Sequence, residues 1–205
     1  MNELITIAQR IRAMSQTALC YSHNDYEIDR SHELIALSDR IVSIVSGRNE
    51  VDIHADYHPM KEYVTPKVDI RAVIFNEKDE ILLVKEKADG KWALPGGWAD
   101  VGFTPTEVII KETKEETGFD VRVVRLLAVM DKRCYNHPAS PFYIYKLCFQ
   151  CEIIGGNDKL TFDILERGFF ATDQLPPLST DRILPEQIAL LDQLRRNPQS
   201  SVYCD

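Results

Sequence analysis

The sequence holds little that would send it to a membrane, a disulfide framework or a nucleic-acid backbone. No apolar run approaches the roughly 18 residues of a spanning helix, and no basic segment followed by an apolar signal region opens the chain, so a soluble, unexported protein is expected. Its five cysteines (Cys20, Cys134, Cys148, Cys151, Cys204) are odd in number and scattered, which fits reduced thiols in the cytoplasm. Cys148 and Cys151 have C-x-x-C spacing within a strand-like stretch, where residues three apart face opposite ways, so a shared metal is not expected. Lys and Arg number 24 against 32 Asp and Glu, a net charge of -8, which excludes a broad electrostatic grip on nucleic acid. An anionic ligand would need a local device, such as a metal. With 205 residues, 44% of them hydrophobic, the chain suits one good core plus an accessory segment. There is no internal repeat or low-complexity stretch.

Residues 1–46 carry helical periodicity in Leu4, Ala8, Ile11 and Ala18, then in Leu34, Ile41 and Val45. Asn24 and Asp25 supply capping chemistry between two helices, and Gly47 closes the second. Such a hairpin is too small to bury its own core, so its apolar face must meet the main domain or a second subunit. Residues 48–66 read as a connecting arm. Val68–Phe75 and Glu80–Lys85 are strand-like around the polar turn Asn76–Asp79, predicting a β-hairpin. Lys91–Leu94 is a short strand running into Pro95-Gly96-Gly97. A helix over 104–117 is well marked: Thr104 as N-cap, Pro105 at the first helical position, Glu107 completing a capping box, and Gly118 at the end. Strands are expected at Val121–Val129, Phe142–Ile154 and Gly168–Ala171, and a last helix over Pro185–Arg196.

The helix over 104–117 places Glu112, Glu115 and Glu116 on or beside the face that carries Val108 and Ile109. Like charges at i, i+4 repel by about 0.2–0.5 kcal/mol even when exposed, and partial burial raises that penalty. A hard divalent cation, Mg²⁺ or Mn²⁺, would remove it and would also bind phosphate oxygens.

Gly97 to Phe119 resembles the Nudix box, G-x5-E-x7-R-E-U-x-E-E-x-G-U with U apolar. The match covers Gly97, Glu112, Glu115, Glu116, Gly118 and Phe119, and the preceding Ala93-Leu94-Pro95-Gly96 is also typical. Val68–Ala72, Gly168–Phe170 and Leu175–Leu178 resemble the flanks of that domain. Three positions depart from the pattern: Phe103 stands for its first Glu, Lys111 for its Arg and Thr113 for an apolar residue. In the family that Glu and Arg commonly pair, and Glu107 to Lys111 offers a replacement at i, i+4.

The resemblance implies a Nudix α/β/α sandwich over 66–205, preceded by an N-terminal α-helical hairpin within residues 1–65. It implies metal-dependent hydrolysis of a nucleoside diphosphate linked to another group. On that reading Glu112, Glu115, Glu116 and the Gly97 carbonyl hold the metal, with Glu115 an alternative proton acceptor. Asp163 and Glu166 are candidates for a general base outside the box. Arg71 is placed to face substrate phosphates and Trp98 to stack on a base, while Trp92 reads as core. The helical extension with its Tyr63–Arg71 entry resembles bacterial Nudix hydrolases that include CDP-choline pyrophosphatases. Tyr57 and Tyr63 are candidates for a quaternary-ammonium cage. ADP-ribose and RNA ends are the rival substrates, and a non-catalytic nucleotide sensor is the rival class. Residues 1–66 hold six Lys or Arg and ten Asp or Glu, a balance that argues against a DNA-reading module. A homodimer through the N-terminal helices is expected, with no membrane or DNA partner.

Overall fold

A computed structural model describes residues 3–56, 66–138, 144–157 and 163–205. They divide into two compact units, Met1–Thr65 with Asp100–Phe103, and Pro66–Ala99 with Thr104–Asp205.

In the first unit, α1 (Glu3–Tyr21) and α2 (Asp25–Ser46) form the expected hairpin. Asn24 caps α2 by accepting from the amide of Tyr26, and Gly47 ends it at a left-handed φ of 71°. Ala8, Val42 and Ile53 make its small core. A buried ion pair joins Arg12 of α1 to Asp39 of α2. The connecting arm expected after residue 48 holds a further helix, α3 (Glu50–Asp56). Ile53 buries against the hairpin and His54 Nδ1 lies 2.8 Å from Asp39 Oδ2, tertiary contacts that a short polar segment does not announce. Tyr57 and Tyr63 lie outside the described residues.

The second unit contains β1 (Lys67–Val73), β2 (Ile81–Glu86), β3 (Trp92–Ala93), β4 (Gly96–Trp98), α4 (Pro105–Thr117), β5 (Phe119–Asp131), a short 3₁₀ turn (Lys132–Cys134), β6 (Ile144–Gly156), β7 (Ile164–Phe170), α5 (Pro185–Arg196) and β8 (Tyr203–Cys204). One sheet runs β4-β1-β6-β5-β8 and the other β3-β2-β7. The β-hairpin expected from β1 and β2 is therefore corrected. The turn forms and leaves the single bridge Phe75–Ile81, after which the two strands enter different sheets. Ile70–Ile74 and Ile81–Val84 are buried without alternation, so each strand needs covering on both faces and neighbours on both edges. β1 finds them in β4 and β6, β2 in β3 and β7.

Val73, Leu83, Trp92, Leu127, Met130, Cys148 and Leu191 bring both sheets and α5 into one core, with Trp92 edge-to-face on Phe170 at 4.7 Å. Cys148 and Cys151 are both buried, and burial pushes each thiol up to about 12, so neither offers a thiolate to a metal. Among the described residues no helix is long and apolar enough to cross a membrane.

Candidate active site

The second glycine of Pro95-Gly96-Gly97 and the carboxylates of α4 meet because local chemistry starts and stops that helix where it does. Thr104 accepts from the amide of Glu107, whose carboxylate returns to the amide of Thr104 at 2.8 Å. Glu107 is thus committed to the cap. Lys111 instead lies 3.2 Å from Glu112 Oε1 and 3.7 Å from Glu115 Oε2. At the other end Gly118 adopts φ 74° and its carbonyl accepts from the amide of Asn157 at 2.9 Å. Gly156, at φ 128°, lies so close to Gly118 that a Cβ would come within 2.5 Å of that carbonyl. Val108, Ile109, Thr113 and Thr117 are buried. Thr113 occupies the apolar position of the box with a buried hydroxyl that has no hydrogen-bond partner.

Gly96 sits at φ 133°, and a side chain there would meet the carbonyl of Ile70 at 2.0 Å, so glycine is required on both counts. That backbone turns its amide onto Glu116 Oε2 at 2.8 Å. Gly97 borders Glu112: a Cβ there would stand 3.2 Å from Oε2. The structure therefore brings Gly97, Glu112 and Glu116 together, while Glu115 is half exposed and leans toward Lys111. Burial pushes Glu116 up to about 8, with Glu86 and Glu112 adding to the rise against Arg71 and the Gly96 amide. Among the described residues no three acidic, histidine or cysteine side chains converge into a closed cage. Two neighbouring carboxylates beside a glycine nonetheless fit a Mg²⁺-like ion, which keeps several waters and relies on one or two protein carboxylates plus substrate phosphates.

Arg71 requires a correction. It is buried, with Nε donating to Asp69 at 2.9 Å and an Nη donating to the Leu94 carbonyl at 2.9 Å. Asp69 also pairs with buried Lys146 across the parallel β1–β6 register. Burial opposes ionisation of Asp69, but Arg71 and Lys146 outweigh it and hold the carboxyl below its usual range. Arg71 is accordingly an internal counter-charge to Asp69, Glu116 and Glu86 rather than an open phosphate contact. Trp98 is 45% exposed, with Lys67 Nζ 5.6 Å from its ring centroid. Trp92 is core, as expected.

Glu166 faces Lys85 in register, and their side chains pair at 2.7 Å. Asp163 is exposed at the head of β7, where its carbonyl accepts from Lys87. Glu86 is the site residue that sequence reasoning missed. It ends β2, lies 3.2 Å from Arg182 Nε and acts electrostatically on both Glu116 and Arg71. Its only sequence signal is a carboxylate closing an otherwise apolar strand.

Residues 65–191 match the family model described as the NUDIX domain, and residues 2–55 match a UDP-X-like, N-terminal oligomerisation domain. The chain belongs to the Nudix hydrolase family. Within it, this protein is a hydrolase of the pyrophosphatase kind, acting on acid anhydrides. It is 38% identical over 97% of its length to YjhB of Bacillus subtilis (strain 168), which carries the provisional name of an ADP-ribose pyrophosphatase and is covered over 95% of its own length. A solved UDP-X diphosphatase superposes with a TM-score of 0.67 at 34% identity, over 99% of this chain and 98% of the other. An ADP-ribose pyrophosphatase from Streptococcus suis 89-1591 does so with a TM-score of 0.63 at 40% identity, over 69% of this chain and all of its own. Enzymes of this family generally need divalent metal ions.

Proposed function

We propose that the protein hydrolyses the pyrophosphate bond of a nucleoside diphosphate joined to a second group, with Mg²⁺ (or Mn²⁺) held by Glu112, Glu116, Glu115 and the carbonyl of Gly97. The observation that carries this reading is the pairing of a buried Glu116, capped by the Gly96 amide, with Glu112 against Gly97. Burial beside Glu112 disfavours the ionised form of Glu116, and a divalent ion would favour it. When bound, the metal supplies charge neutralisation on the phosphates and a more acidic water. Glu112 and Glu116 orient the phosphate end, the charge of Arg71 favours the ionised form of Glu116, and Trp98 offers an exposed ring to a base. Asp163 suits the general base better than Glu166, whose carboxylate is engaged by Lys85. Water adds to one phosphorus, the bridging P–O bond breaks, and the water proton passes to the base.

CDP-choline, giving CMP and phosphocholine, and ADP-ribose, giving AMP and ribose 5-phosphate, are the two substrates carried forward. The names of the relatives support ADP-ribose and, through the helical extension, a UDP-linked substrate, while CDP-choline rests on the resemblance read from the sequence. Mg²⁺-dependent phosphate release through a coupled phosphatase tests both, alongside UDP-sugars, dinucleotide polyphosphates and RNA ends, with Glu112→Gln as control. Silence across that panel with both metals overturns the reading.

The protein is further read as a cytoplasmic homodimer. α1 leaves Leu4, Ile7 and Met14 exposed, and α2 leaves Leu34, Leu37 and Ile44 exposed at helical spacing, two apolar stripes suited to a second copy.

A further inference from the structure

We propose that Lys146 is a positioning residue for the reaction: through Asp69 and Arg71 it fixes the Leu94–Gly97 turn that presents Gly96 to Glu116 and Gly97 to Glu112. This inference rests on the pyrophosphatase reading of that site. Lys146, the third residue of β6, is 2% exposed, and no motif marks it. A charge held away from water needs a partner. Lys146 finds one across the parallel register, where it is level with Asp69 and donates to Oδ2. The other oxygen, Oδ1, accepts from Arg71 Nε at 2.9 Å. With both oxygens met, Asp69 takes one N–H of the guanidinium, and Arg71 directs Nη1 to the Leu94 carbonyl at 2.9 Å.

Leu94 stands two residues before Gly96. The next carbonyl, that of Pro95, accepts from the amide of Ala72 at 2.8 Å, and Gly96 and Gly97 then pair with Arg71 and Ile70 in the antiparallel β1–β4 register. The turn is thus held on β1 by a side-chain bond at Leu94, a main-chain bond at Pro95 and strand pairing from Gly96 on. The first of these is the one that a neighbouring charge can alter. The fit beyond it is close: a Cβ on Gly96 would meet the Ile70 carbonyl at 2.0 Å and Arg71 Cα at 3.0 Å, and the Gly96 amide donates to Glu116 at 2.8 Å. A shift at Leu94 therefore reaches the Glu116 bond through residues that have little room to absorb it. Removing the Lys146 charge leaves Oδ2 of Asp69 unmet in the interior. A guanidinium favours a two-point contact with a carboxylate, and turning to make it takes Nη1 off the Leu94 carbonyl. Lys146 thus acts on the metal site from two strands away, touching neither metal nor substrate.

The test uses the full chain labelled with ¹⁵N-glycine, whose nine glycines give a spectrum in which amide exchange at Gly96 can be followed without substrate. Lys146→Met removes the charge at similar length. Arg71→Lys keeps every charge but loses the planar fork that serves Asp69 and Leu94 together. Leu191→Ala, a core truncation in α5, shows what lowered stability alone does. The first two should speed exchange at Gly96 about 3- to 10-fold more than at Gly168 in β7, the worth of one hydrogen bond. They should weaken Mn²⁺ binding, read by electron paramagnetic resonance of the free ion, by a similar factor. Leu191→Ala should act on both glycines alike and leave Mn²⁺ affinity unchanged. With a substrate that the wild type turns over, Lys146→Met and Arg71→Lys should lower kcat while KM moves little. If Lys146→Met does not fold, Lys146→Gln, which keeps a donor toward Asp69 without the charge, is read in its place. Equal acceleration at Gly96 and Gly168, or an unchanged Mn²⁺ affinity, overturns the proposal. A wild type silent on every substrate overturns the pyrophosphatase reading instead, and the exchange measurement still decides this one.

Discussion

The main-chain N–H of Gly96 donates a 2.8 Å hydrogen bond to the carboxylate of Glu116. It does so in a site whose burial holds that carboxyl at about 8, against 4.5 for the free group. Between those values the folded chain keeps a proton that the unfolded chain has released. The stability contributed is fully present below about pH 4.5 and is lost at about 1.4 kcal/mol per pH unit as pH rises toward 8. Mg²⁺ binds the ionised form, so its stabilising effect should grow with pH. Thermal melts in EDTA and in Mg²⁺ between about pH 5 and pH 8 should show both trends in the wild type and neither in Glu116→Gln. Parallel slopes in the two proteins would mean that Glu116 is ionised at neutral pH.

Glu112 borders Gly97, whereas Glu115 is half exposed beside Lys111, so the two should not be equal in catalysis. Glu112→Gln is expected to lower kcat by about 100-fold or more, the scale of losing one principal electrostatic group at a reacting centre, and Glu115→Gln by clearly less. Gly97→Ala should also reduce kcat, since its methyl crowds Glu112 Oε2 at 3.2 Å. Steady-state kinetics with matched melting curves will separate these effects, and an equal loss from both glutamates would refute the ordering.

Asp69 pairs with both Arg71 and Lys146 in the interior. Asp69→Asn leaves two buried cations short of a counter-charge and is expected to cost about 3–5 kcal/mol in urea unfolding. A loss under about 1 kcal/mol would mean that water reaches the pair.

Thr113 carries a buried hydroxyl with no partner at a position where the family pattern is apolar. Thr113→Val keeps the shape and removes the unmet group, so it should stabilise by about 1 kcal/mol. The urea midpoint should rise without a change in slope; a fall would show that the hydroxyl is satisfied in solution.

The paired change Leu37→Glu with Ile44→Glu places two charges on the exposed stripe of α2. Light scattering coupled to size exclusion should report a dimer for the wild type and a monomer for this variant. An unchanged mass would move the interface elsewhere.

What the sequence discloses is what local chemistry decides. The span of α4 is legible because Thr104, Pro105, Glu107 and Gly118 act within a few residues, and α5 runs over the expected Pro185–Arg196. The parting of β1 and β2 is not legible, because a strand chooses its neighbours from distant segments such as Ile144–Gly156 and Ile164–Phe170. The same distinction runs through the site. Glu112, Glu115 and Glu116 announce themselves by spacing on one helix. Glu86 joins them from another strand, and Arg71 changes role because Asp69 and Lys146 draw it inward.

At one end of α4 a Cβ on Gly156 would come within 2.5 Å of the Gly118 carbonyl, and at the other the reciprocal bonds of Thr104 and Glu107 fix where the helix starts. Both ends of the helix are set by close backbone fits, so its exposed face can drift in sequence while Glu112 and Glu116 keep their places.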